Sequence, residues 1–357
     1  MKHWIQVIGG LGDRPRHLSY EEAVEAALEL AHGEVTEAGS AAFLMALSMK
    51  GAVEDELSAF IDAFRSCSLP YPALTDALTC ACSAEGHRLF PVSLPVSLLL
   101  ASAGFPQVLH GGESQRPRRG ACWSELLARF GVAHELSAKA WGAMAQQLHI
   151  GFLQTDALCP AIGRLKPIRE QLGVRTIIDL IEQVINPVNS SQMIVGVQSS
   201  SLAETMIPVA MRSGFQQVYF IHGLEGTADL PLHQNSLIRI VTPWGDESRL
   251  IEPQKFGFSS EPLPPLDIED QFTILQRVMD GEASDELKRE RDHVIFNAGL
   301  RLTWFDKVGS YEEGFQLAED LLSRKEAHKV MRRWADLSQK WRSQERQVDD
   351  HQSESSG

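Results

Sequence analysis

Apolar residues recur at helical spacing through the first part of the chain. Ser19-Tyr20-Glu21-Glu22 reads as a capping box, and the helix it opens continues over 23–31 to Gly33. A second helix is predicted over 36–50, with Phe43, Leu44, Leu47 and Met49 supplying much of its apolar side and Gly51 after it. A third follows over 54–64. Three helices joined by short glycine-containing turns make a compact α unit. Ahead of them, the short apolar piece 4–8 and then Gly9, Gly10 and Gly12 read as an ordered arm. Ser68-Leu69-Pro70-Tyr71-Pro72 marks a boundary.

Beyond that boundary the pattern changes. Residues 73–90 fit neither period. The apolar run 92–103 is a helix with Pro95 near its start, where proline is tolerated. Helices follow at 123–130 and 135–148, the second ending at His149, and helical runs flank Gly173 between 167 and 187. The pattern then alternates. Residues 193–197 are β-rich, Ser201-Leu202-Ala203-Glu204 is a second capping box opening a helix that ends at Gly214, and strands are predicted at 217–221 and 237–241. Strand, helix and strand at this spacing form a parallel βαβ unit. Later helices fall at 267–281, 285–302 and 310–322, and a basic helix at 324–346; the residues after about 347 are polar and read as disordered.

Composition narrows the class. A chain of 357 residues exceeds what one compact core usually holds, so two domains are expected. The formal charge, 33 basic against 47 acidic groups, is −14, which argues against wholesale wrapping of nucleic acid while leaving room for a local basic patch. No secretory leader pattern and no apolar run near ~18 residues is visible, so a cytoplasmic protein with no membrane partner is expected. The five cysteines, at 67, 80, 82, 122 and 159, lack paired spacing and read as reduced thiols. Cys80-x-Cys82 leaves two readings, a metal-ligand pair without a second pair at finger spacing, or buried structural thiols.

The candidate chemistry is concentrated in residues 104–120. A short apolar segment points into His110-Gly111-Gly112, and a polar loop follows with Arg116, Arg118 and Arg119. Glycine lets backbone amides approach a ligand and arginine supplies forked donors, so the stretch reads as an anion site or, alternatively, as a solvated surface loop.

Several segments then carry a resemblance. In order they are LSYEEA (18–23), AAFLMALSMKGAVEDELSAF (41–60), AGFPQVLHGG (103–112), PIREQLGVRTIIDLIEQVINP (167–187), VYFIHG (218–223), EPQKFGF (252–258), RDHVIFNAGLRL (291–302) and SYEEGFQLAEDLL (310–322). The chain resembles the anthranilate phosphoribosyltransferase family, glycosyltransferase family 3, from about residue 18 to 330. Its N-terminal WIQVIGGLGDRPRHLSYEEA (4–23) is similar to a divergent branch, some of whose members are described as nucleic-acid-binding proteins. The resemblance implies an α/β fold of the thymidine-phosphorylase-like type, a small all-helical N-terminal domain hinged to a larger α/β domain with a mainly parallel central sheet. On this chain that gives an arm at 1–17, a helical domain at 18–70 joined by helices of about 167–187, an α/β domain at 71–166 and 188–340, and a polar tail at 341–357. It also implies phosphoribosyl diphosphate and Mg²⁺ in the cleft, and a homodimer packed through the helical domain.

Site by site, the resemblance is uneven. The family's Gly-rich GTGGDG diphosphate turn matches Ala81-Cys82-Ser83-Ala84-Glu85-Gly86, of which only Gly86 is kept. Ala81 and Ala84 place methyls where amides must close on oxygen. The phosphate-gripping Asn-x-Ser-Thr matches Pro91-Val92-Ser93-Leu94; Ser93 remains and Pro91 has no N–H to donate. Lys-His-Gly-Asn matches Leu109-His110-Gly111-Gly112, so the Lys and the Asn that meets the acceptor are gone, while the distal lysine falls at Arg118. His110 is either a structural hydrogen-bonded residue or a catalytic one. The acceptor-binding arginine matches Arg169, which also reads as a surface ion pair on a helix bearing Glu170. The acidic pair that holds Mg²⁺ matches Ala228-Asp229, with Glu225 close by as a substitute, enough for a weak site completed by substrate phosphates.

Three functions stay open. The first is pentosyl or phosphoribosyl transfer to an unidentified acceptor, with anthranilate disfavoured by Gly112. The second is a non-catalytic nucleic-acid-binding protein that uses Arg116, Arg118, Arg119, Arg164, Lys166 and Arg169 as a groove. It adds Arg324, Lys325, Lys329, Arg332 and Arg333 with Trp334 and Trp341 near the C-terminus, unless that helix is simply solvated and amphipathic. The third is a scaffold or regulatory dimer without a ligand.

Overall fold

In the computed structural model, residues 1–10, 14–82, 86–112 and 120–355 are described, with side chains as far as 347. Four helices form first: α1 (Lys2–Gly9), α2 (Tyr20–His32), α3 (Glu37–Lys50) and α4 (Glu54–Ser66). The capping box at Ser19 forms as expected, with Ser19 Oγ accepting from the Glu22 amide at 3.3 Å and Glu22 Oε2 accepting from the Ser19 amide at 3.0 Å. The apolar piece of the N-terminal arm is the helix α1, whose Trp4 and Ile8 lie one turn apart and both bury against the unit. Phe43, Leu44 and Leu47 are core residues, whereas Met49 is 83% exposed. Phe60 stacks between Phe43 and Phe64 at 6.1 and 6.2 Å.

The rest of the chain builds a seven-stranded sheet. Its strands are β1 (Leu78–Ala81), β2 (Gln107–Gly111), β3 (Ile150–Gln154), β4 (Gln192–Gly196), β5 (Gln217–Ile221), β6 (Ser236–Thr242) and β7 (Gly245–Ile251). They lie in the order β3-β2-β1-β4-β5-β6-β7, with the first five parallel. The expected parallel βαβ unit forms as β4, α11 and β5, while β6 runs antiparallel to β5 and pairs through a tight turn with β7, an edge strand on which only Ile251 is buried. β1 escapes sequence reading because it has four residues, Thr79 among them, and is buried on both faces, so it shows no alternation.

The helices cover both faces. They are α5 (Ser93–Ser102), α6 (Trp123–Arg129), α7 (Ala138–Leu148), α8 (Thr155–Leu158), α9 (Pro160–Leu172), α10 (Ile177–Val184), α11 (Ser200–Arg212), α12 (Ile268–Met279), α13 (Lys288–Trp304), α14 (Tyr311–Ser323) and α15 (Glu326–Ser355). α11 starts at Ser200 under a Ser199 cap rather than at the Ser201 box, and α15 carries the polar end in a helix to Ser355. Alternation along the strands sorts residues between two cores. Ile194, Tyr219 and Ile221 face α5, α13 and α15, while Met193, Val195, Val218 and Phe220 face α9 to α11 and the N-terminal helices. The helical bundle therefore shares a core with the larger α/β unit. Cys80 and Cys82 are buried, and burial pushes both thiols up, Cys80 to about 11.

The chain leaves β1 toward β2 and β3 on one side and β4 and β5 on the other. Such a switch point opens a crevice beyond the C-terminal ends of the central strands.

Candidate functional site

The segments that follow β1 and β2 are joined at His87 and Ala121. His87 and Ala121 exchange backbone hydrogen bonds of 2.8 and 3.0 Å, pinning the far ends of the two loops together. Three glycines are fixed by this packing. A Cβ at Gly120 would stand 2.1 Å from the His87 carbonyl carbon, one at Gly86 (φ +72°) 2.5 Å from Gly120 O, and one at Gly111 2.6 Å from Cys82 Cβ. Arg116, Arg118 and Arg119, with Ser83, Ala84 and Glu85, lie outside the described residues.

Below β1 lies a buried polar cluster. Ser93, in the first turn of α5, donates its hydroxyl to Asp229 Oδ1. Arg301 Nη2, from α13, donates to Ser93 Oγ at 3.0 Å and to Ala228 O at 2.9 Å, and lies 3.4 Å from Asp229 Oδ1. All three side chains are essentially buried. Asn297 fixes the same loop, accepting from the Leu230 amide at 2.8 Å and donating to Leu230 O at 3.0 Å. Arg301 was not singled out from the sequence, although a lone arginine among the apolar residues of 294–302 is itself a signal of a buried charge needing a partner.

Glu225 does not join Asp229. It sits in the left-handed region (φ 52°) and turns toward the β1 loop. There Oε1 accepts from Arg88 Nε at 2.6 Å and Oε2 from the amides of Arg88 and Leu89 at 3.1 and 3.2 Å. The two carboxylates expected to share Mg²⁺ are thus separately engaged. A cation between them would have to displace a guanidinium from one and amide donors from the other, so the residues as arranged do not fit a shared divalent ion. No group of three or more potential ligands occurs among the described residues.

The third cluster lies beside the end of β2. Arg169 on α9 is 3% exposed, not at the surface, and its partners are two carboxylates on α10 rather than Glu170. Nη2 meets Asp179 Oδ1 and Glu182 Oε2, each at 2.9 Å, and Nη1 meets Glu182 Oε1 at 3.2 Å. Asp179 also caps α10, accepting from the Thr176 amide at 2.6 Å. Burial works to discharge Arg169, but Glu182 and then Asp179 outweigh it and hold the guanidinium above its ordinary value. Thr155 Oγ1 donates to Glu182 Oε1 at 3.2 Å. A Cβ at Gly112 would come 3.0 Å from that same Oε1 and 3.3 Å from Thr155 Oγ1. A side chain at position 112 and the Glu182 carboxylate therefore compete for one space.

His110 sits in β2 between Ala81 of β1 and Leu153 of β3. It is fully buried, and neither ring nitrogen has a partner among the described residues. Burial pushes it down to about 4, so the ring is neutral near pH 7.

The structure therefore brings Gly86, His110, Gly111 and Gly112 together at the β1 and β2 ends, Ser93 and Asp229 together beneath them, and Arg169 against Gly112 through Glu182. Glu225 stands apart on Arg88. Of the wider basic and aromatic set, Arg164 is exposed and its guanidinium donates to Ala31 O, whereas Trp334 is 1% exposed in the core, out of reach of a strand of nucleic acid.

Two family models match the chain: the glycosyl transferase family helical bundle domain over residues 5–68 and the glycosyl transferase family α/β domain over 79–328. Anthranilate phosphoribosyltransferase of Solibacter usitatus is 30% identical over 310 residues, covering 85% of this chain and 89% of that protein. The Pelotomaculum thermopropionicum protein of the same name is 28% identical over 310 residues, covering 85% and 88%. The structure of anthranilate phosphoribosyltransferase from Thermus thermophilus matches with a TM-score of 0.78 at 26% identity, over 95% of this chain and 100% of that one. The Saccharomyces cerevisiae protein in complex with PRPP and Mg shares the fold, with a TM-score of 0.80 at 17% identity over 95% and 98%.

Proposed function

Because the chain belongs to glycosyl transferase family 3, we propose that it transfers a phosphoribosyl or related pentosyl group to an acceptor that is not a carboxylate. The observation that carries this is the neutralisation of Arg169. One guanidinium faces two carboxylates, so the cluster beside Gly112 has a formal charge of −1. An anionic acceptor brought to Gly112 would meet Glu182 Oε1 instead of a free arginine. An amine, amide or ring N–H would find an acceptor oxygen there, already oriented by Thr155 and Arg169.

In this reading the acceptor nitrogen bonds to the anomeric carbon as that carbon's bond to the diphosphate oxygen breaks, the diphosphate takes the electron pair and then the displaced proton, and Glu182 orients the N–H. The β1 and β2 loop bases, pinned by the His87–Ala121 pair, hold the donor near the neutral His110, with Arg118 as the cation of the loop. Magnesium, which the yeast structure contains, would supply charge neutralisation to the leaving diphosphate when bound. A homodimer packed through the helical bundle is part of the same reading.

The test is a pair of titrations and one assay. Phosphoribosyl diphosphate should bind saturably in calorimetry, and 2-aminobenzamide should be converted in preference to anthranilate. Glu182→Gln should shift that preference toward anthranilate by about tenfold. Preferential turnover of anthranilate by the unmodified protein would overturn the acceptor reading. Binding of single-stranded DNA with a steep salt slope, without binding of the diphosphate, would favour the nucleic-acid alternative.

A further inference from the structure

The loop that follows β5 carries both acidic side chains expected to hold Mg²⁺, and it closes on itself. The Leu224 amide donates to Asp229 O at 2.7 Å, and a Cβ at Gly223 would stand 2.2 Å from Thr227 O. Glu225 and Asp229 therefore leave one tight turn, and each meets an arginine from a different part of the chain. Arg88, after β1, holds Glu225 through Nε at 2.6 Å, and its own amide adds a second donor at 3.1 Å. Arg301, from α13, lies 3.4 Å from Asp229 Oδ1, which also accepts the Ser93 hydroxyl. The Arg88 side chain is half exposed, whereas Arg301 and Asp229 are both buried.

The charges balance as a metal would balance them. Two carboxylates and one divalent cation sum to zero, and so do two carboxylates and two guanidiniums. Arginine keeps its charge at every working pH. Mg²⁺ gives up its water reluctantly, and taking Asp229 from Arg301 would leave a buried charge without its partner. The two pairs also do the tying that a shared ion would do. Arg88–Glu225 joins the β5 loop to the segment after β1, and Ser93 and Arg301 join Asp229 to α5 and α13.

We propose that Arg88 and Arg301 take the place of the divalent cation, so that this chain binds its phosphorylated ligand without a metal. The choice of ligand rests on the transferase reading; the two ion pairs do not. Both arginines are positioning residues. Each acts through its carboxylate, holding the β5 loop in place with no net negative charge toward an incoming phosphate.

Calorimetry on the full chain, with phosphoribosyl diphosphate and inorganic diphosphate in EDTA and in millimolar Mg²⁺, tests this. The unmodified protein is expected to give the same affinity in both conditions within about twofold. Arg88→Ala and Arg301→Met each strip the cation from one carboxylate, so each should lose about tenfold in EDTA and recover in Mg²⁺. A merely structural arginine would lose affinity that Mg²⁺ does not restore, and that result overturns the proposal. Arg88→Ala answers the question even if thermal melting shows that Arg301→Met does not fold. Binding by the unmodified protein only in Mg²⁺ overturns the proposal and leaves the transferase reading standing. If neither phosphate compound binds in any condition, the transferase reading falls, and Mn²⁺ binding, followed by water-proton relaxation, decides the proposal. Mn²⁺ bound by the variants but not by the unmodified protein supports the exchange of metal for guanidinium. Mn²⁺ bound by the unmodified protein, or by neither variant, overturns it.

Discussion

Arg169 and Arg301 are both buried arginines that meet carboxylates, yet their surroundings are opposite in balance. Arg301 faces one carboxylate, Asp229, with the Ser93 hydroxyl between them, so its cluster is neutral, and its Nε and Nη1 have no acceptor among the described residues. Arg169 faces two carboxylates, so its cluster is negative and has oxygen to spare beside Gly112. Both arginines keep a buried Nε without a partner among the described residues, so the two ends differ in formal charge, zero under β1 and −1 beside β2. A transferase needs this kind of separation, with an anionic donor substrate on one side and an N–H acceptor on the other. Charge balance, more than the identity of any one residue, distinguishes the two halves of the crevice.

The largest expected effect comes from removing the cation with two partners. Arg169→Met leaves two carboxylates buried together and should cost about 3–5 kcal/mol in denaturant unfolding at pH 7. The sign of its pH dependence is diagnostic. Without Arg169 the carboxylates titrate at higher pH when folded than when unfolded, so stability should recover as pH falls through their folded values. Glu182→Gln, which leaves a one-to-one pair with Asp179, should cost only about 1 kcal/mol. Equal losses in the two variants would remove the surplus-charge argument. Arg301→Met should follow at about 3 kcal/mol, because Asp229 keeps the Ser93 hydroxyl.

Why one half of this contrast was readable and the other was not follows from distance along the chain. Gly86, Gly111 and Gly120 stand out as glycines, and the structure gives each a backbone or Cβ neighbour too close for a side chain. The capping box at Ser19 and the apolar helices are local patterns, and they form where expected. Arg169 is equally visible, but its partners are 10 and 13 residues away on the next helix, and local spacing does not report how two helices pack. The same limit hid the role of Glu225, whose bonds reach back 137 residues to Arg88. β1 was lost for a different reason, since a short strand buried on both faces carries no period to read.

His110 gives the contrast a pH axis. Its pKa is pushed down to about 4 by burial, from an unfolded value of 6.5. The unfolded chain takes up the proton first, so stability is intact above about pH 6.5 and is lost as pH falls toward 4, by roughly 3 kcal/mol for this group. His110→Leu should flatten that part of the stability profile, measured by urea unfolding at several pH values, while changing stability at pH 7 by less than about 1 kcal/mol, because no hydrogen bond to a described residue is lost. His293, also pushed to about 4 by burial, should leave a residual slope in the variant. An unchanged profile would mean that His110 titrates alike in the folded and unfolded chain, and so is not sealed from solvent by the strands around it.

The smallest effect is expected at Glu225. Its partner Arg88 is half exposed, and exposed ion pairs contribute about 0.2–1 kcal/mol. Glu225→Gln keeps an oxygen for the Arg88 and Leu89 amides and loses the charge together with the acceptor for Arg88 Nε, so stability should fall by about 1 kcal/mol or less. The informative measurement is therefore the binding of phosphoribosyl diphosphate. If Glu225 only ties the β5 loop to the β1 loop, affinity should change little and should show the same dependence on Mg²⁺ as the unmodified protein. A selective loss of Mg²⁺-dependent affinity in Glu225→Gln would show that the carboxylate leaves Arg88 when substrate arrives. It would then move Glu225 from the closed, internally satisfied part of the crevice into the part that meets the ligand.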